Sequence, residues 1–328
     1  MSPPPLYPLH FTPILRRLLW GGRRLGTVLG RPIGDAADYA ESWELSDYKD
    51  LVSVVDEGPL AGTSLRDLIR ERPAELLGDG LAGRTQFPLL VKFIDAREDL
   101  SVQVHPDDEK GRRLADDNGK TETWVIVAAE PGARIYAGLK PGVDRRALAA
   151  AIEARNCAPL LHHFPARPGD CVLIEAGTVH AIGAGVLLAE IQQMSDATFR
   201  LDDWGRVGAD GRPRELHVSQ SLESTDFSRG PVQPVVPTPT RTAAGNLREG
   251  LSRTDYFALE RWRLTAPERL GTPGRFTILV GISGEATVCG GGTAVPLGPG
   301  RTLLLPASAG ACEVVPGAEA VLLSCTVP

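Results

Sequence analysis

From about residue 90 onward, apolar and polar side chains alternate with a two-residue period, broken by Gly, Pro or Asp every ~10 residues. A helix would need its apolar positions three and four apart, so such a chain folds as short, mostly antiparallel strands. Helical spacing is confined to a few places. Over 64–72, Ser64 and Asp67 make a capping-box-like start, and Leu65, Leu68 and Ile69 share a face. A second helix is expected over 144–155, with Leu148, Ala151 and Ile152 inward. The expected fold class is therefore mostly β, a barrel decorated by a few helices.

With 328 residues, 42% of them hydrophobic, the chain can bury a substantial core and is long enough for two domains. Pro231, Pro234, Pro237 and Pro239 crowd the stretch 228–245, which excludes a central strand or a helix and favours an extended connection. The expected organisation is a domain over 1–230, a Pro-rich connection over 231–245, and a second, smaller β-roll over 246–328, where 256–264 and 276–288 alternate again. The last histidine is His217, so any imidazole-bound metal belongs to the first 227 residues.

Charged residues make up 23% of the chain and the formal net charge is -6, without the basic excess that binding a nucleic-acid backbone requires. One anionic substrate group needs only a local cluster of cations, so a phosphorylated small molecule stays open. The pairs Arg23-Arg24, Arg112-Arg113 and Arg145-Arg146 lack interleaved aromatics and read as solvated faces. The start, Met1-Ser2-Pro3-Pro4-Pro5, is not that of a secretory signal, and no apolar run reaches membrane-spanning length; the expectation is a cytoplasmic protein with no membrane partner. Cys157, Cys171, Cys289, Cys312 and Cys325 fall in no metal-ligand spacing and read as reduced packing residues.

In Leu100-Ser101-Val102-Gln103-Val104-His105-Pro106 the alternation sends Ser101, Gln103 and His105 to one face of a strand and the valines to the other. In a closed barrel the polar face would be the lumen, where uncompensated polar groups are costly and call for a metal, a water or a ligand. Glu122 follows seventeen residues after His105, on the same strand face as Lys120. In the run from Pro168 to His180, Pro168-Gly169-Asp170 makes a turn and Gly177 permits a second bend, which places His180 at a strand entrance. Two imidazoles and a carboxylate leave positions open for water and substrate, as catalytic zinc requires, and Gln103 could add an oxygen. His162 and His163 are a rival source, but adjacent strand residues face opposite sides, so at most one could join. Glu190 is a candidate base or ligand-orienting residue, with a solvated carboxylate as the alternative. Glu41 and Trp43 either shape the pocket mouth or pack the N-terminal region, and Trp124 reads as barrel packing.

Residues 168–180 resemble the second cupin motif. Gln103-Val104-His105-Pro106-Asp107-Asp108 with Lys120-Thr121-Glu122 is similar to the first motif as type I phosphomannose isomerases carry it. Phe11-Thr12-Pro13, Trp20-Gly21-Gly22, Glu41-Ser42-Trp43-Glu44-Leu45-Ser46 and Gly58-Pro59-Leu60-Ala61-Gly62 look like the N-terminal landmarks of the shorter bacterial members. Gln192-Gln193-Met194-Ser195-Asp196-Ala197-Thr198-Phe199-Arg200-Leu201 and Arg214-Glu215-Leu216-His217 match the stretch after the second motif. The likeness is close from about residue 11 to 223 and looser beyond.

The resemblance implies a double-stranded β-helix (cupin) barrel and a second cupin-like roll. It implies one Zn2+ per chain held by Gln103, His105, Glu122 and His180, with Gln103 the ligand that short bacterial members can lack. It also implies a catalytic Arg200, a sugar-phosphate pocket that includes Ser101, Lys92 and Lys120, and interconversion of mannose 6-phosphate and fructose 6-phosphate. Monomer or weak homodimer is the expected state. An iron or manganese oxygenase would more often carry His-x-His where this chain has Gln103-Val104-His105. A cupin-type glucose 6-phosphate isomerase lacks the bipartite chain and the Arg200 stretch, and a non-catalytic sugar-binding protein would bind hexose phosphate without turnover.

Overall fold

The computed structural model describes residues 4–207 and 211–328; Met1, Ser2 and Pro3, the head of the proline-rich start, lie outside the described residues. The chain opens with β1 (Leu9–His10), β2 (Ile14–Gly22), β3 (Tyr39–Leu45), β4 (Asp47–Tyr48) and β5 (Leu51–Val52). A first roll then runs through β6 (Leu89–Ala96), β7 (Val102–Val104), β8 (Glu122–Ala129), β9 (Arg134–Leu139), β10 (Leu161–Pro165), β11 (Cys171–Ile174), β12 (His180–Ile182), β13 (Val186–Gln193) and β14 (Phe199–Asp202). After β15 (Pro239–Arg241) and β16 (Leu247–Arg253) comes a second roll of β17 (Ala258–Leu264), β18 (Glu268–Leu270), β19 (Thr277–Ser283), β20 (Ala286–Gly290), β21 (Thr293–Leu297), β22 (Thr302–Leu305), β23 (Cys312–Pro316) and β24 (Ala320–Thr326).

The two rolls share one wiring. In the first, one sheet contains the order β11-β8-β13-β6 and the facing sheet β10-β9-β12-β7; in the second the corresponding orders are β22-β19-β24-β17 and β21-β20-β23-β18. Each chain segment alternates between its two sheets in the same sequence of crossings, the pattern of a double-stranded β-helix. The expected mostly-β, cupin-type architecture is what the chain adopts.

The rolls pack back to back. On β6, β8 and β13, Val91, Phe93, Val125, Leu187, Ala189 and Ile191 point away from the first lumen and join one apolar core with Leu259, Ile278, Val280, Leu323 and Cys325 of the second roll. Burial on both faces explains why Leu89–Ala96 and Val186–Gln193 read as nearly unbroken apolar runs. Their other faces turn into the first lumen, where Ile94, Ala96, Trp124, Ile126 and Leu188 form a separate core. The second lumen is filled by Trp262, Leu279, Val288, Leu303, Val314 and their neighbours. Where Glu122 opens β8 and His180 opens β12, the second roll has Thr277 and Cys312.

Helices cover the outer face of the five-stranded sheet. The helix Arg145–Glu153, capped by the Asp144 side chain accepting from the Ala147 amide at 2.7 Å, buries Leu148 and Ile152 against Val102, Val104, Val179 and Leu201. The helix Leu65–Glu71 starts at Ser64, whose Oγ accepts from the Asp67 amide at 3.0 Å. The Pro-rich connection lies along the first roll, with the Val232 amide donating to the Ala137 carbonyl at 3.1 Å and the Val235 amide to Cys171 at 2.8 Å. The N-terminus crosses over: Leu9 and His10 of β1 pair with Leu304 and Leu303 of β22.

Gly177 supplies the bend before His180 with φ of 89°, and its amide donates to the His105 carbonyl at 2.8 Å. A Cβ there would come within 3.0 Å of the Asp226 Cβ. Gly177→Ala is expected to lower stability by about 1–3 kcal/mol in urea unfolding, because a side chain meets both an unfavourable backbone region and a crowded site.

Candidate metal centre and active site

The alternation around β7 places its side chains as the sequence implies. Val102 and Val104 enter the core under the helices, while Ser101, Gln103 and His105 face the lumen. In sheet register His180 lies opposite Gln103 from one side and Arg200 opposite it from the other. Glu122, first residue of β8, lies beside Gln192 of β13.

His105, Glu122 and His180 are buried, and one potential ligand atom from each lies within 4.8 Å of the others. His105 Nε2 is 3.5 Å from Glu122 Oε2, and His180 Nε2 is 3.5 Å from Glu122 Oε1. The outer ring nitrogens are engaged: His105 Nδ1 is 2.8 Å from the Ala197 carbonyl and His180 Nδ1 is 2.9 Å from the Thr178 carbonyl. A carbonyl only accepts, so each Nδ1 carries the proton and each Nε2 presents its lone pair to the centre. Burial, followed by the neighbouring His105, pushes the His180 pKa down to about 3; burial and Lys120 lower that of His105. For Glu122, burial alone would favour the neutral acid, but Lys120 and the two imidazoles hold its carboxyl well below the ordinary range. Neutral imidazoles beside an ionised carboxylate are the protonation states a metal takes.

A metal fits this set. His105 Nε2 and both Glu122 oxygens are buried without a hydrogen-bond partner, a costly condition that a divalent ion relieves. The Gln103 amide nitrogen is 3.2 Å from His180 Nε2, so turning the amide over would bring its oxygen to the same point. Among the described residues one other group, His10, Asp56 and Glu57, comes close enough to hold an ion. There Arg301 already donates to Glu57 at 2.9 Å and His10 Nδ1 lies 2.5 Å from Asp56, so these groups already have partners. His162 and His163 lie on β10, away from both; His162 Nε2 contacts the Gln233 amide at 2.8 Å.

A cavity of about 320 Å³ opens next to the cluster, and Lys92, Ser101, Gln103, Lys120, Glu190 and Arg200 all line it. Larger clefts open between the rolls, one of about 710 Å³ at Asp56 and Arg301, but ligating and charged groups converge here. Lys92, Glu190 and Trp124 sit side by side on three neighbouring strands. Lys92 Nζ is 2.9 Å from Glu190, and Trp124 Nε1 donates to the other Glu190 oxygen at 2.9 Å. Burial and the Glu122 charge push the Glu190 carboxyl above the ordinary range, while Lys92 and Lys120 pull it back. Burial opposes the Lys92 charge, yet Glu190, Glu41, Asp196 and Glu122 hold its pKa above the usual lysine value. Lys120 Nζ lies 3.2 Å from Glu122 Oε2. Glu190 is thus a buried, tethered carboxylate and not a solvated one.

Arg200 is held by its backbone. Its amide donates to His217 Nδ1 at 3.0 Å, the His217 amide returns a bond to its carbonyl at 2.8 Å, and Nη1 donates to the Glu215 carbonyl at 3.0 Å. Asp203 is taken by Arg206 and Arg214, and Asp202 accepts from the Cys157 and Trp204 amides. Burial, then Arg214, lowers the Arg200 pKa, while the nearby Asp203 charge offsets part of the fall. No sequence pattern singles out Arg16. It lines the same cavity, 3.6 Å from Glu41 and 3.5 Å from Asp196, with its guanidinium 4.8 Å from the Trp43 ring centre. Glu41 lines the cavity, whereas Trp43 is buried packing that donates to it at 2.7 Å.

Two cupin rolls, one carrying an imidazole-carboxylate cluster that could hold a metal beside a cation-lined cavity, define a bicupin. Residues 9–128 match the family model of the phosphomannose isomerase type I catalytic domain, and residues 249–324 match that of the mannose-6-phosphate isomerase cupin domain. A mannose-6-phosphate isomerase of Bacillus subtilis is 33% identical over 96% of this chain and 98% of its own length; one from Streptococcus mutans is 31% identical over 91% and 92%. The crystal structure of the Bacillus subtilis mannose 6-phosphate isomerase superposes with a TM-score of 0.89 at 27% identity, covering 98% of this chain and 99% of that one. The chain belongs to the type I phosphomannose isomerase family.

His105→Ala and His180→Ala are each expected to lose bound metal, read by elemental analysis against one equivalent in the wild type, because two remaining ligands hold a divalent ion poorly. His217 supplies a pH test. Burial, then Arg200, lowers its pKa, and Nδ1 must stay unprotonated to accept from Arg200. Its folded pKa lies below the unfolded value, so its stabilisation is present above about pH 6.5 and is lost as pH falls through the lower folded value. In thermal melts taken from about pH 7.5 down to 5, His217→Asn, which keeps an acceptor and cannot titrate, should show a shallower acid decline than the wild type.

Proposed function

We propose that the chain is a zinc-dependent mannose-6-phosphate isomerase, interconverting mannose 6-phosphate and fructose 6-phosphate at the His105, Glu122 and His180 cluster. The observation that carries this reading is the set of buried ligand atoms on His105 and Glu122 without a hydrogen-bond partner, next to a cavity lined by Gln103, Lys92, Lys120 and Arg200. The names of the full-length relatives support the substrate pair. Zinc suits a two-nitrogen, carboxylate set that needs no redox change, with Gln103 as a further oxygen donor.

The reaction moves a proton between C2 and C1 of the open-chain sugar through an enediol. A zinc ion held by His105, Glu122, His180 and Gln103 would act as a Lewis acid towards the sugar oxygens. Glu190 is the candidate base. Its raised carboxyl pKa brings proton uptake nearer neutral pH, and Lys92 with Trp124 fixes which way it faces. Arg200, which lines the cavity, would set a positive charge beside the developing enediolate oxygen. Lys92, Lys120 and Ser101 grip the phosphorylated sugar, which limits it to one pose. Residues 1–230 form the catalytic unit and 246–328 the supporting one, in a cytoplasmic monomer or weak homodimer.

A coupled assay for fructose 6-phosphate formed from mannose 6-phosphate, with and without chelator, tests the function; turnover unaffected by complete zinc removal would overturn the metal assignment. Arg200→Ala with full zinc occupancy is expected to lower kcat by about 100-fold or more with a much smaller change in KM, since the charge acts on the transition state. Arg200→Lys should recover only part of the rate, because an ammonium lacks the planar fork of donors.

A further inference from the structure

The backbone that carries Lys120 and Glu122 is tied to the second roll by side chains alone. The Thr121 amide, between those two residues, donates to Gln193 Oε1 at 2.8 Å, and the Gln193 amide nitrogen donates from its backbone to the Thr121 carbonyl at 3.2 Å. Gln193 Nε2 donates to Asp108 Oδ1 at 2.9 Å, and the same oxygen accepts from the Gly119 amide at 2.9 Å. The other oxygen of Asp108 accepts from the Tyr256 hydroxyl at 2.9 Å, across a sequence separation of 148 residues. Direction is enforced at every link: a backbone N–H can only donate and a carboxylate can only accept, so one orientation of the Gln193 amide satisfies both neighbours. Burial and Asp108 raise the Tyr256 pKa to about 12, which keeps the hydroxyl a donor throughout the neutral range.

We infer that Tyr256 is a positioning residue for the active site: acting across the seam between the rolls through Asp108 and Gln193, it sets the backbone of residues 119–122 and with it the Lys120 and Glu122 side chains. The inference rests on the function proposed above for its kinetic consequence, though not for its structural one. The second roll, whose own lumen holds apolar side chains, contributes to the chemistry through this link. A cavity of about 430 Å³ lined by Asp108, Gln193 and Tyr256 runs along the relay. Water there can solvate Asp108 once the hydroxyl is gone, but water does not fix where the carboxylate points. Removing the hydroxyl should therefore loosen the segment without unfolding it.

Tyr256→Phe keeps the ring in the inter-roll core and deletes one hydroxyl. The expected result is faster amide hydrogen exchange over residues 119–122, zinc affinity weakened about tenfold, and kcat lowered with KM little changed, at the lower end of what outer partners of a metal site do. Arg301→Gln, which breaks the separate inter-roll contact to Glu57, serves as the control and should lower the melting temperature while leaving zinc affinity and that exchange unchanged. In a Gln193→Met background the Tyr256→Phe change should have a smaller further effect on both quantities, carried only by the remaining Asp108 bond to the Gly119 amide. Unchanged exchange and zinc affinity in Tyr256→Phe would overturn the inference, as would an effect that persists in full in the Gln193→Met background. The exchange readout needs neither metal nor turnover, so a wild type that did not isomerise mannose 6-phosphate would sink the function while leaving the relay to be judged by its own result.

Discussion

Glu122 carries a charge that the fold has taken out of water. Burying an uncompensated carboxylate costs several kcal/mol even after relaxation, so whatever surrounds it must answer that charge. Lys120 does so from the same strand face at 3.2 Å, and the two imidazoles approach from the facing sheet. Their Nδ1 protons are committed to carbonyls, which leaves nitrogen lone pairs aimed at an anion. Lone pairs facing a carboxylate are mutually unfavourable unless a cation lies between them, and that conflict is what suits the cluster to hold a metal ion. The Lys92 and Glu190 pair repeats the arrangement one strand further on, with Trp124 completing the carboxylate's partners.

The back-to-back packing follows from the same requirement. A lumen that holds two ion pairs and two histidines contributes less apolar burial than a dry one, and the large sheet of the first roll recovers apolar contact through its outer face. Val91, Phe93, Ala189 and Ile191 meet Leu259, Ile278, Val280 and Leu323 there. The second roll keeps the wiring and spends its lumen on Trp262, Leu279 and Leu303, so its stability carries no functional group of comparable cost.

Much of this was legible in the sequence. Strict alternation assigned Ser101, Gln103 and His105 to one face, and the bend at Gly177 located His180, because both are local backbone properties. The capping-box-like start at Ser64 and the spacing of Leu148, Ala151 and Ile152 marked two helices for the same reason. Alternation could not show that Lys92 and Glu190 face each other, since that depends on β6 and β13 being neighbours in the sheet order. It left Glu190 between a base or orienting role and a solvated one; its Lys92 and Trp124 partners in the lumen show it buried. The helix Asp108–Ala115 escaped notice because its residues are mostly charged and only Gly111 is buried, although Asp107 caps it by accepting from the Lys110 amide at 2.9 Å. Asp108, Gln193 and Tyr256 meet only through tertiary packing, and no local pattern announces that.

The pairing of Leu9 and His10 with β22 sets an order of events during synthesis. Leu9 meets Leu304, 295 positions later by subtraction, so the first strand to leave the ribosome is among the last to find its place. At ~5–20 residues per second, that is a wait of roughly 15–60 s. Through that interval the first roll can close its own lumen, but the sheet that covers its back stays unfinished. The apolar face of β6 and β13 then lacks its finished cover on a nascent chain, and the window for misassembly closes only when β1 reaches β22.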